Sequence, residues 1–176
     1  MYQGKLVRLR ALEQKDIAAS HLFVNDYETM RGVTSGKLYP ASYEDEARWA
    51  QGQSSYTHGE YQFAIETLEE GIFIGRCGFT RVDWKNRLAE IGILIGDGAF
   101  RGKGFGSDAV DTLCRFGFEE LNLHKIKASV FSFNEAAIRA YQKCGFQEEG
   151  ILKAELFREG KYHDVRLFAL FSSSRL

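Results

Sequence analysis

The sequence is short of the residues that build metal and redox centres. Its three cysteines, Cys77, Cys114 and Cys144, are odd in number and widely spaced, and no C-x-x-C pair occurs. Neither a zinc site nor a dithiol pair is suggested, and each cysteine sits among apolar neighbours, where it reads as a small core residue. The histidines, His21, His58, His124 and His163, keep no ligand spacing, so no metal is expected. An excess of charge of one sign is lacking too: Lys plus Arg number 23 and Asp plus Glu 24, a net charge of −1. General nucleic-acid binders usually carry a basic surplus, so that class is not supported. Charged residues interrupt every apolar run, so neither a membrane span nor a signal peptide is expected, and a cytoplasmic protein is. Proline occurs once, at Pro40, and internal repeats, linkers and low-complexity tracts are absent.

What is present is material for a core. The chain has 176 residues, 44% hydrophobic and 14% aromatic, which predicts one domain over residues 1–176. Lys5–Arg10 alternates as a strand, and Glu13–Asn25 has helical spacing. Residues 26–41 are irregular. Ser42-Tyr43-Glu44-Asp45 resembles a capping box and opens a helix through about Gln51. Asn25–Glu60 is the most polar and least regular stretch, and loops of that kind carry specificity, so it is assigned to an acceptor substrate. Tyr61–Thr67 and Ile72–Val82 read as antiparallel strands joined at Glu69-Glu70-Gly71, and a turn at Trp84–Arg87 follows.

The chain is organised around what comes next. Leu88–Ile95 is an apolar, β-branched run that reads as a buried strand. It leads into Arg101-Gly102-Lys103-Gly104-Phe105-Gly106-Ser107, then into a long amphipathic helix to about Glu120. Val110, Leu113, Cys114, Gly117 and Leu121 form that helix's buried stripe. Glycines let a ligand approach the backbone closely. A helix N-terminus offers unpaired N–H groups and a favourable dipole, and Arg101 and Lys103 add positive charge. These features describe a phosphate or pyrophosphate cradle. The P-loop pattern fails, because Asp97 stands where it needs glycine and Gly104 where it needs Ser or Thr; G-x-G-x-x-G fails because the glycines fall at 102, 104 and 106.

Further on, Lys125–Phe131 reads as a strand and Asn134 as the N-cap of a helix that ends near Cys144-Gly145. Ala137, Ala140, Tyr141 and Cys144 share one face of this helix, so Tyr141 points inward. Phe146–Leu156 and Lys161–Phe171 form a closing hairpin around Glu159-Gly160. Its apolar run Leu167–Phe171 suits either a core or a dimer seam, so a homodimer is possible. The element order β-α-α-β-β-β-α-β-α-β-β packs naturally as a mixed sheet with helices on both faces, an α/β (α+β) fold.

Two motifs carry a resemblance over nearly the whole chain. Arg101-Gly102-Lys103-Gly104-Phe105-Gly106 is similar to the [Q/R]-x-x-G-x-[G/A] acetyl-CoA loop of the GNAT superfamily of N-acetyltransferases, and Ala89-Glu90-Ile91-Gly92 precedes it on the expected strand. Asn134, Ala137, Tyr141, Gly145 and Phe146 match that superfamily's N-x-x-A-x-x-x-Y-x-x-x-G-F signature. Leu121–Ile126 and Gly160–Val165 resemble the branch of ribosomal-protein N-terminal acetyltransferases and spermidine N-acetyltransferases. The resemblance implies a mostly antiparallel GNAT-like sheet. It also implies acetyl-CoA as co-substrate, and an amine acceptor that is a peptide N-terminus, a polyamine or another small amine.

Such a reaction needs a neutral amine, a polarised thioester carbonyl and a proton for the leaving thiolate. A thiol of pKa about 8.5 leaves readily, so direct attack in a ternary complex suffices. A lysine-like ammonium costs about 4.6 kcal/mol to deprotonate at pH 7, an α-amino group only about 1–1.4 kcal/mol. A polyamine therefore calls more strongly for a base. Glu90 is the candidate base, acting directly or through water, and Tyr141 the candidate acid. Backbone N–H groups around Leu94 and Ile95 would hold the carbonyl oxygen and pantetheine. The N–H groups of Gly102 to Ser107, with Arg101 and Lys103, would hold pyrophosphate, flanked by Asn134 and Ala137. The competing readings are a non-catalytic acyl-CoA sensor or interaction module on the same fold and a nucleotide-binding module that uses the glycine loop.

Overall fold

A computed structural model of the chain describes residues 2–53 and 61–175. The expected acceptor segment Asn25–Glu60 therefore lies partly outside the described residues, and His58 wholly so. The strands are β1 (Tyr2–Gln3), β2 (Val7–Arg10), β3 (Tyr61–Thr67), β4 (Phe73–Asp83), β5 (Leu88–Ile95), β6 (Lys125–Phe131), β7 (Gln147–Arg158) and β8 (Lys161–Phe171). The helices are α1 (Ile17–Val24), α2 (Tyr27–Met30), α3 (Tyr43–Gly52), α4 (Phe105–Glu119) and α5 (Glu135–Lys143). They build one eight-stranded sheet in the order β1-β2-β3-β4-β5-β6-β8-β7. Every neighbouring pair is antiparallel except β5 and β6.

Alternation along β4 separates the two faces. Cys77 and Phe79 point into the core under α4, where Leu113, Cys114 and Phe116 meet them. Phe116 is the hub of that core, with edge contacts to Tyr2, Tyr61 and Phe63 at ring distances of 4.9, 5.7 and 5.2 Å. Burial of side chains this size stabilises by about 1.5–3 kcal/mol each. Gly117 is glycine for packing: a Cβ there would sit 2.7 Å from Phe79 Cζ. Arg76, on the other face of β4, reaches α1 and α3. It pairs with Glu46 at 2.6 Å and lies over the Trp49 ring at 3.8 Å. Helices thus cover both faces, as the periodicity predicts.

Two elements escape the sequence reading. β1 exists because Tyr2 and Gln3 pair with Leu9 and Arg8. The turn between β1 and β2 is pinned by the Asp108 carboxylate of α4, which accepts from the amides of Lys5, Leu6 and Val7 at 2.9, 2.7 and 3.0 Å. α2 interrupts the expected irregular segment, and Asp26 caps it by accepting from Thr29 N at 2.8 Å. Leu167–Phe171 serves the core: Phe168, Ala169 and Leu170 are all buried. The apolar residues that the hairpin exposes are Ile151, Leu152, Phe157 and Tyr162.

Where β5 meets β6 the sheet opens. The parallel pairing covers only Leu88↔Lys125, Ala89↔Ile126 and Glu90↔Lys127. β6 continues along β8 as far as Phe131, while β5 continues along β4 as far as Ile95. A bulge in β4 at Thr80 lies opposite the end of the β5–β6 pairing. Bulges bend strands and increase twist, which accounts for the divergence at this level. Beyond Glu90, the edge of β5 that faced β6 has no strand partner.

Candidate active site

The cleft between the parted strands is a cavity of about 680 Å³. Its walls come from the end of β5, the first turn of α4 and the inner face of α5, with the α2 region closing one end. Leu94, Ile95, Arg101, Gly102, Gly104, Gly106, Ser107, Asn134, Ala137 and Tyr141 line it, so ten of the sequence-singled residues come together. Lys103, Phe105 and Glu90 do not line it. Lys103 is exposed. The Phe105 ring packs edge-on against Phe100 at 5.2 Å.

The loop before α4 takes its shape from glycine. Gly102 has φ +71° and Gly104 φ +95°, backbone conformations that side chains rarely adopt. Gly104 is also the N-cap, and no side chain caps this fifteen-residue helix. The amides of its first turn therefore keep their donors toward the cavity, where the helix dipole favours an anion. Arg101 adds charge but is not aimed at a ligand. Its guanidinium donates to Ile95 O and Gly96 O, both at 2.9 Å, and to Thr29 Oγ1. It clips the end of β5 to α2.

Asn134 is likewise fully engaged. Its Oδ1 accepts from Ala137 N at 3.1 Å, capping α5, and its Nδ2 donates to Gly32 O at 3.0 Å, tying the acceptor-side loop to that helix. Tyr141 is 4% exposed and contacts Phe146 at 5.1 Å. Burial pushes its phenol well above the ordinary value, and the thiols of Cys114, Cys77 and Cys144 and the carboxylate of Glu90 add to that direction.

Glu90 stands apart. It lines a smaller cavity of about 130 Å³ with Lys127, Ser129, Glu149 and Leu167. Its Oε1 accepts from Ser129 Oγ at 2.8 Å. Sequence reasoning missed Ser129 and also the residues that hold the acceptor-side loop. Arg158 donates to Thr34 O and Gly36 O at 2.8 and 3.2 Å. Glu159 accepts from Tyr27 Oη at 3.2 Å and pairs with Arg31 at 3.2 Å. These partners lie more than a hundred residues apart in the chain, so no local pattern announces them.

Among the described residues there is no metal-binding cluster, and no helix is long and apolar enough to cross a membrane. The family model described as an acetyltransferase (GNAT) domain matches residues 7–147. The spermidine N(1)-acetyltransferase of Vibrio cholerae is 31% identical over 170 residues, covering 96% of this chain and 94% of that protein. The spermidine N(1)-acetyltransferase of Escherichia coli K12 is 30% identical over 172 residues, covering 97% and 88%. The crystal structure of the Vibrio cholerae spermidine N-acetyltransferase in complex with CoA and spermine is similar in fold, with a TM-score of 0.85 at 30% identity, over 95% of this chain and 96% of that one. The chain belongs to the GNAT acetyltransferases and uses acetyl-CoA.

Proposed function

We propose that this chain is a single acetyltransferase domain that moves the acetyl group from acetyl-CoA to a primary amine, with a polyamine as the first acceptor to test. The observation that carries the reading is one cavity where the uncapped N-terminus of α4, the unpartnered edge of β5 and the buried Tyr141 meet. The polyamine choice rests on the names of the relatives.

The first-turn amides of α4 take the pyrophosphate. The free edge of β5 at Ile95, whose amide points away from β4, pairs with pantetheine as a strand would, and that amide polarises the thioester carbonyl. The amine nitrogen then attacks the carbonyl carbon, the C–S bond breaks and the electron pair leaves on the CoA sulfur. Glu90, held by Ser129, takes the amine's proton through water, because it sits outside the larger cavity. Tyr141 faces the sulfur. A phenol raised by burial is a dependable hydrogen-bond donor but a reluctant acid. Transfer to the thiolate is helped because the same burial raises the leaving thiol.

The test is CoA release from acetyl-CoA with spermidine, spermine, aminoglycosides, amino acids and peptides with free Ser or Ala N-termini. Release with one class names the acceptor. Tight acetyl-CoA binding with no release from any amine would favour the sensor reading. A cytoplasmic location and a homodimer belong to the same proposal. The exposed Ile151, Leu152, Phe157 and Tyr162 support the second, and sedimentation checks it.

A further inference from the structure

The α2 end of the cavity carries a cation of its own. Glu28, Arg31 and Phe133 all line the cavity there. Arg31 meets Glu28 at 3.3 Å and Glu159 at 3.2 Å, and its guanidinium lies 5.4 Å from the centre of the Phe133 ring. Carboxylates and an aromatic face are the groups that recognise an ammonium. Here a side chain of the protein already fills them. Arg31 is not what holds this loop in place. Asn134 donates to Gly32 O, Arg158 to Thr34 O and Gly36 O, and Arg101 to Thr29 Oγ1. The Arg31 pairs are also weak braces: the Glu28 side chain is 70% exposed and that of Glu159 35%, and ion pairs open to water contribute little to stability.

An amine with several charges meets a difficulty at this end. Glu28 is the one acidic side chain among the residues that line the cavity, and Arg31 already pairs with it. The other charge close by is Arg158, buried and given over to the loop carbonyls. Glu159 is shared between Arg31 and the Tyr27 hydroxyl. A second ammonium on the acceptor therefore has to displace the Arg31 guanidinium or lie beside it. We propose that Arg31 is a specificity-determining residue that bars a second ammonium from the α2 end of the cavity, so that the number of charges on the amine sets its affinity. The proposal rests on the acetyl-transfer reading and refines its acceptor: a polyamine enters at the expense of the Arg31 pairs, an amine with one charge does not.

The experiment is calorimetric titration of the CoA-loaded protein with spermine, an amine of several charges, and with butylamine, an amine of one. It uses the unaltered protein, Arg31→Gln, the charge-preserving Arg31→Lys, and Arg31→Gln combined with Glu28→Gln and Glu159→Gln. Circular dichroism checks the fold of each. Arg31→Gln is expected to tighten spermine by about tenfold or more, while butylamine changes by less than about twofold. Arg31→Lys keeps the behaviour of the unaltered protein, and the combined variant loses the gain. Spermine binding that is unchanged, weaker or absent in Arg31→Gln would overturn the filter. So would an equal gain for butylamine, or a gain that the combined variant keeps. CoA release from acetyl-CoA, measured on the same proteins, tests the transferase reading separately: no release with any amine would overturn that reading, while the titrations alone decide the filter.

Discussion

Replacing Gly104 by aspartate puts a negative charge where the cradle is meant to hold pyrophosphate. The protein itself has room: a Cβ at Gly104 meets only Leu6 Cδ1, at an ordinary 3.6 Å. The backbone there is strained for any side chain, with φ +95°, at about 1–2 kcal/mol. Gly104→Asn is the matched control, since asparagine has the same shape, adopts this conformation comparably and carries no charge. The difference between the two isolates electrostatics. Each pair of unit charges about 5 Å apart repels by about 0.8 kcal/mol in bulk water and about 3.3 kcal/mol at an effective dielectric of about 20. A pyrophosphate diester carries two such charges, so the gap lies between about 1.7 and 6.6 kcal/mol, more than tenfold in Kd. Titration with CoA reads it directly. Raising ionic strength from about 0.1 M to 1 M shortens the screening length from about 10 to 3 Å and should narrow the gap. Equal Kd values for the Asp and Asn variants would refute the placement of the phosphates at this helix start.

Tyr141→Phe should lower kcat by about a hundredfold with little change in the KM for acetyl-CoA; full activity would reduce the residue to packing. Because burial raises Tyr141, its ionisation should not produce an alkaline fall in kcat below about pH 10, the ordinary tyrosine value. Glu90→Gln should lose more rate at acidic than at alkaline pH, where free amine becomes plentiful, and a uniform or absent loss would argue against a base. Glu66 and Asp16 predict an acid limb in stability. Burial opposes their ionisation, but hydrogen bonds from Arg10 to both, and from Arg8 to Glu66, outweigh it and hold both below the ordinary carboxylate range. A carboxylate depressed in the folded state stabilises above its unfolded pKa of about 4, and that contribution is lost as pH falls through the folded value. Glu66→Gln removes one partner of this buried cluster with Arg8 and Arg10 and should cost about 3–5 kcal/mol at pH 7. In urea titrations the gap should shrink below about pH 4; a gap independent of pH would exclude the linkage.

The strand, loop and helix from Leu88 to Glu119 were legible because they are local: a β-branched run, glycines where φ must be positive, and a stripe at helical spacing. The opposite holds for what surrounds them. Arg101 looks like a phosphate ligand in sequence, yet Thr29, seventy-two residues away, takes part of its guanidinium. Glu90 sits on the expected strand, but the cavity it faces depends on where β5 and β6 stop pairing, which follows from a bulge on a third strand. Ser129 became visible only when β6 was laid beside β5. Local periodicity names elements and glycines; it does not say which polar side chain a distant loop has already claimed.

Asp108 has a bearing on how the protein can be handled. Its carboxylate sits in the first turn of α4 and is occupied by three amides from residues 5–7. Displacing residues 5–7 with a bulky N-terminal fusion would take these three donors away and leave the carboxylate of Asp108 unpaired in the first turn of α4. An affinity handle joined at the C-terminus leaves this stitch undisturbed. The turn between the first two strands, remote in sequence from every candidate catalytic group, thus keeps a carboxylate at the start of α4 neutralised by backbone donors.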